Sequence, residues 1–430
     1  MNDKHTTLAA STGTSRRANR LNTSTAIVMM ASVFGVLSSG TAWSAEPDGF
    51  QYLGRLNGGG YSYAYAISAD GSVVVGSAGD GNSGNRQRAV RWSGASNSIV
   101  SLGTLNGGHT SMAFAVTADG SVVVGYASDG NIGNEGRAFR WTEASNTMVS
   151  LGTLNGGDYS YAMGVSADGK VVVGYATDGN VGNHSRVAFR WTEESNTMVS
   201  LGTLNGGAFS YANGVSADGK VVVGYATDGS VGHVSRAFRW TEASNTMVSL
   251  GTLNGGAFSY ANVVSADGSV VVGYAGDGSV GNANRAFRWT EASNTMVSLG
   301  TVNFGSESIA TGVNADGSVV VGHSADGNAG NLRRAFRWTD ATGMISVEDW
   351  LRNNGVTVAS DFTNSAGGVS ADGSVIVGET STGAAFLARV ASTGSGIIDM
   401  NEFAGSLAAK PTANVGLNFA GTVLNGAHGE

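Results

Sequence analysis

Repetition limits how this chain can fold more than any other feature. Ala-Asp-Gly recurs with its aspartate at Asp70, Asp119, Asp168, Asp218, Asp267, Asp316 and Asp372, at spacings of 49, 49, 50, 49, 49 and 56 residues. An eighth copy, at Asp326, is out of register and reads as part of a loop. Most copies share one frame: an NGG loop, SYA, VSADG, VVVGYA, a DGxxGN loop, RAFRWT and MVSLGTL. A repeat of about 50 residues holding four short strand-like runs has the size of one propeller blade. The expectation is an all-β fold, a seven-bladed β-propeller of four-stranded blades spanning residues 46–403.

The fourth repeat shows the pattern. Residues 211–216 read as a first strand, and Asp218-Gly219 as a two-residue type I′ hairpin. Residues 221–226 (VVVGYA) are apolar at nearly every position, as a strand covered on both faces requires. Gly224 inside that run marks a close backbone approach, which crowding of blades near the axis would explain. Residues 236–240 read as the third strand, with Phe238 and Trp240 on one face packing onto the next blade. Residues 247–253 read as the outer strand. The seventh unit lacks the Arg and Trp of the third strand, reading Ala385-Phe386-Leu387-Ala388, so weaker aromatic packing is expected there. Two segments compete to complete its sheet: residues 50–56, which match the outer-strand motif, and residues 397–403.

The ends read differently. Lys4, Arg16, Arg17 and Arg20 precede an apolar run over residues 26–37, and small residues follow, with cleavage expected after Ala42, Ser44 or Ala45. Residues 1–45 therefore read as a secretory signal peptide, too short in its apolar part to span a bilayer. The expected location is exported: periplasm, cell surface or medium. There is no Cys, so the fold must be held without disulfides. A net charge of −8 and the absence of basic runs argue against nucleic acid as a partner. Residues 404–430 stop repeating and read as a connector.

The frame VSADGxVVVGYA, RAFRW and LGTL resembles the HAF family of extracellular repeats. The triplet appears here as Arg137-Ala138-Phe139, with Trp141 two places on, and the likeness covers residues 50–403. The resemblance implies an exported bacterial protein of the autotransporter-passenger type, whose C-terminus is an outer-membrane β-barrel. Residues 418–428 look like the junction before such a barrel, and the barrel itself is absent from this sequence. The mature chain is expected to have no transmembrane span.

No catalytic motif is written in the chain. GxSxG, HExxH and a Cys nucleophile are missing, and the six His are scattered. The seven turn aspartates read as turn formers, with a repeated pairing of Arg91 to Asp70 and Arg239 to Asp218 as one option. The DGxxGN loops offer carboxylate and amide oxygens of the kind calcium takes, but too few carboxylates for a known calcium loop, so no cofactor is expected, with calcium at these loops as the alternative. Copies of the repeat differ mainly after NGG and between the second and third strands, while residues 142–157 and 241–256 are identical. Those two variable loops emerge on one face of a blade, which makes that face the candidate partner-binding surface. Its candidate residues are His109, Tyr159, Phe209, Phe258, His184 and His233. The expected function is noncatalytic surface or host adhesion, to a protein or glycan. The alternative is a propeller enzyme acting on extracellular polysaccharide, which would draw acid pairs from different blades.

Overall fold

The computed structural model describes residues 48–391, apart from 94–97, 181–184, 359 and 361. The signal-like segment, the segment 397–403, the connector and His184 lie outside the described residues. Seven antiparallel four-stranded sheets follow one another along the chain, as the repeat count requires. In the fourth blade the strands are Ser210–Val215, Val221–Asp228, Val234–Thr241 and Thr246–Ser249. The outer strand is therefore shorter than the sequence suggested. The Leu250 and Leu253 that follow it leave the sheet and pack against the fifth blade.

The last sheet has the order Gly49–Tyr52, Ala385–Arg389, Val375–Thr380, Thr363–Val369. The N-terminal strand thus completes the blade made by the C-terminal repeat. Two sets of hydrogen bonds close the ring. The first residue of each inner strand is a buried Ser or Thr whose hydroxyl accepts the N–H of an Ala in the preceding blade's third strand. Ala188 to Ser210 (2.9 Å) is one example, and Ala385 to Ser62 (3.0 Å) links the seventh blade to the first. The turn Ala also donates its N–H to the next turn in most blades, as in Ala217 to Ala266, Ala266 to Ala315, Ala315 to Ala371, and Ala371 to Ala69 at 2.9 Å.

Several local expectations are corrected. The Asp218 turn is a four-residue loop, not type I′. Ser216 N donates to the Val221 carbonyl, and of Asp218 and Gly219 only the glycine has positive φ, +75°. Gly224 is crowded by its own blade, because a Cβ there would lie 1.9 Å from the Tyr211 carbonyl of the bulged inner strand. Phe238 and Trp240 pack onto the preceding blade, sharing a core with Val171, Val173 and Ala188. Asp326, the out-of-register copy, ends a strand and caps the turn of a DGxxGN loop like the other aspartates of those loops.

The seventh blade is also well packed. Phe386 is fully buried, Phe50 stacks on it at 5.3 Å and meets Phe362 at 4.1 Å. The insertion before this blade forms a helix, Val347–Asn353, capped by Ser346. Its Trp350 and Leu351 join the core that contains Ala388, the residue standing where other blades carry Trp.

Candidate binding face

The NGG and DGxxGN loops lie together and are tied to each other. Asn205 Nδ2 donates to Asp228 Oδ1 at 2.9 Å, and that aspartate also accepts Ser230 N–H, capping a short 3-10 turn. The same pair recurs as Asn57–Asp80, Asn106–Asp129, Asn155–Asp178, Asn254–Asp277 and Asn303–Asp326. These carboxylates serve as caps. Among the described residues no group of three or more His, Cys, Asp or Glu is placed to hold a metal ion.

Among the described residues no ion pair joins a turn aspartate to an arginine. Arg91 reaches Glu143 of the next blade at 3.1 Å, and Arg239 reaches Glu291 at 3.0 Å, so these ion pairs join blades on the opposite face. Asp218 instead accepts from Ser216 Oγ (2.7 Å) and Lys220 N–H (3.1 Å). The Ser216 hydroxyl, with the Lys220 amide, holds its carboxyl below the usual range. All seven turn aspartates shift the same way.

The candidate residues fall into three groups. His109 is exposed on the face. His233 is exposed too, but at φ +61° it stands where other loops place a left-handed Asn. Asn134 and Asn282 show what that Asn does, accepting the N–H of His109 and Ala257. Tyr159, Phe209 and Phe258 are half-buried and not free loop tips. They pack on Tyr161, Tyr211 and Tyr260 at 6.0, 5.7 and 5.6 Å.

Those rings belong to a girdle. The inner-strand residues Tyr161, Tyr211 and Tyr260 each lie beside a tyrosine on their own second strand and one on the preceding blade. The run is Tyr126, Tyr161, Tyr175, Tyr211, Tyr225, Tyr260, Tyr274, with successive centroids 4.4–5.0 Å apart. Burial among neighbouring phenols pushes Tyr161 up to about 12. The inner strands of all seven blades surround a central channel of about 200 Å³. Bulged inner-strand residues line the channel: Tyr65, Phe114 and Met163 on one side, Asn213 and Thr311 on the other. Asn213 and Thr311 donate across to carbonyls of the following blade, so they also brace the ring.

The sequence reading missed the most exposed aromatic on this face. In the sixth blade NGG becomes Asn303-Phe304-Gly305. Phe304 has φ +60° and is 101% exposed. At the same place the earlier blades use Gly58, Gly107, Gly156, Gly206 and Gly255, all at φ between +72° and +76°. A bulky residue in the left-handed region costs about 1–3 kcal/mol. The NFG break in an otherwise uniform NGG series was the available signal. Ile132, Val231, Val280 and Leu332 are exposed on the DGxxGN side of the same face.

The girdle also breaks at the sixth blade. His323 replaces a second-strand tyrosine and is buried, with Nδ1 accepting from Arg333 Nη2 at 3.0 Å. Burial, with the Arg333 charge, pushes His323 down to about 3. Acid unfolding is therefore expected in two stages. Between pH 6.5 and 3 only the unfolded His323 takes up a proton, so stability falls as pH drops through that window. Below about pH 4 the turn aspartates protonate and their contribution is lost. Replacing His323 by Tyr should remove the first stage from a plot of melting temperature against pH and leave the second.

No family model matches the sequence, and no curated protein matches it either. Solved structures match in fold. An oligogalacturonate lyase from Vibrio parahaemolyticus is 10% identical with a TM-score of 0.53, covering 79% of this chain and 93% of that one. An oligogalacturonate lyase in complex with manganese is 14% identical with a TM-score of 0.52, covering 80% and 96%. TolB from Acinetobacter baumannii is 12% identical with a TM-score of 0.42, covering 77% of this chain; the chain spans 64% of that protein's length. At such identities the likeness shows the fold alone. Among the described residues no helix is long and apolar enough to cross a membrane.

Proposed function

We propose that this protein is an exported, noncatalytic β-propeller of the HAF-repeat, autotransporter-passenger type that adheres to a surface partner through the face carrying the NGG and DGxxGN loops. The observation that carries this reading is Phe304. A fully exposed phenyl ring is held at positive φ where five other blades use glycine. Strain at an exposed position has no packing reward inside the fold, so a reward from a partner is the economical explanation. Four more exposed aliphatic side chains share the face, and apolar anchors on a polar surface are what recognition sites use. The signal-like N-terminus supports export. A polysaccharide-acting enzyme is the second reading, favoured by the His323–Arg333 pair. Release of new reducing ends from polysaccharide by the purified chain would decide for it.

Replacing Phe304 by Gly separates binding from folding. The variant should melt at or above the parent temperature, because the strain is relieved. Its adhesion to a host-cell or matrix array should fall about tenfold or more. Unchanged adhesion would remove this face from the mechanism.

A further inference from the structure

We infer that the break in the tyrosine girdle at the sixth and seventh blades is a binding site for a neutral saccharide. This rests on the binding-face reading and names the ligand for one sector of it. Positions that carry aromatic rings in the third, fourth and fifth blades carry hydrogen-bonding groups here. Glu307 stands where Tyr159, Phe209 and Phe258 stand, immediately before the buried Ser of the inner strand. His323 stands where Tyr175, Tyr225 and Tyr274 stand, and Glu379 takes that place in the seventh blade. Arg333 occupies a site held by Ser235 and Asn284 in the fourth and fifth blades. Glu307 and Glu379, on separate strands of two blades, both lie close enough to Arg333 for their charges to act on it.

The groups orient one another. Arg333 donates to His323 at 3.0 Å, and Asn364 Nδ2 donates to Glu379 Oε1 at 2.9 Å. With Nδ1 accepting, neutral His323 keeps its proton on Nε2 as a donor. Guanidinium, carboxylate and amide groups fixed in this way can each bridge two neighbouring hydroxyls, the pattern a sugar ring presents. Phe304, three residues before Glu307, adds an exposed apolar ring for the C–H face of a sugar. Among the substituted positions two carboxylates stand against one guanidinium, so a uronic acid or sulfated sugar would meet repulsion there. The chain's net charge of −8 acts in the same direction. Binding sites of this kind combine apolar walls with a few fixed polar groups.

The test is calorimetric titration of the full chain with cellobiose, maltose, lactose, chitobiose and digalacturonate. At least one neutral disaccharide should bind, and digalacturonate should bind at least tenfold more weakly. Arg333→Gln and Glu379→Gln should each weaken that binding tenfold or more, with melting temperatures close to the parent. Glu193→Gln, on the opposite face, should leave it unchanged. The inference is overturned if no neutral disaccharide binds, if digalacturonate binds best, or if binding survives both substitutions. Cell adhesion that still depends on Phe304 while every sugar fails would reject the ligand class and leave the binding face standing. Sugar binding without Phe304-dependent adhesion would do the reverse.

Discussion

A chain lacking residues 48–56 should melt roughly 10–20 °C below the parent. The segment supplies the outer strand of the seventh blade, paired from Gly49 with Arg389 to Tyr52 with Phe386. Its loss strips the Phe50 ring from Phe386 and removes Leu53 and Leu56, which are 2% and 4% exposed in the core joining the seventh and first blades. It also removes the Gly54 carbonyl that accepts Trp92 Nε1–H at 3.0 Å. Truncation of one large buried side chain costs about 2–5 kcal/mol, several such side chains go with the segment, and each kcal/mol is worth about 1–2 °C in a propeller of this size. A synthetic peptide of residues 46–57 should restore part of the loss. An unchanged melting temperature would mean that another segment, residues 397–403 above all, can close the ring.

The second large effect is expected at Glu348. This carboxylate is completely buried, and its Oε1 accepts the backbone N–H groups of Phe362 (3.0 Å) and Thr363 (2.7 Å). It therefore ties the inserted helix to the start of the seventh blade's inner strand. Glu348→Leu would leave the buried Thr363 N–H without an acceptor, at about 1–3 kcal/mol, and the half-buried Phe362 N–H at a smaller cost. Glu348→Gln keeps one carbonyl oxygen and should recover much of that loss in a denaturant titration. Equal melting of the two variants would show that the helix is held by Trp350 and Leu351 packing alone.

The parts of the fold that repetition specifies were legible. Blade number, strand order and the pairing of variable loops on one face follow from a period of about 50 residues and from turn signals. Details set by tertiary contacts were not. The direction in which Phe238 faces depends on which blade lies behind it, and a period of two cannot tell one side from the other. The partner of Arg91 could not be read locally, because Glu143 belongs to the next repeat, 52 residues away. Weaker packing was expected in the seventh blade because Trp is missing from its third strand. Phe50 and Trp350, from distant parts of the chain, make good that loss.

The binding face was legible only in outline. Variable loops located it, and His109 is exposed there, but Tyr159, Phe209 and Phe258 proved to be half-buried rings packed on the girdle. Variation between copies cannot separate a ring that packs from a ring that projects. The break from NGG to Asn303-Phe304-Gly305 carries that information, because only the demand for positive φ makes a phenylalanine there anomalous.

The most direct measurement of the binding face is site-specific cross-linking. A photoreactive phenylalanine analogue would replace Phe304 in one preparation and Val248, exposed on an outer strand, in another. Each would be irradiated on the surface to which the protein adheres. The expected result is a covalent adduct from position 304 and none from position 248. Adducts from 248 alone, or from neither position while adhesion persists, would contradict a partner held by the NGG and DGxxGN face.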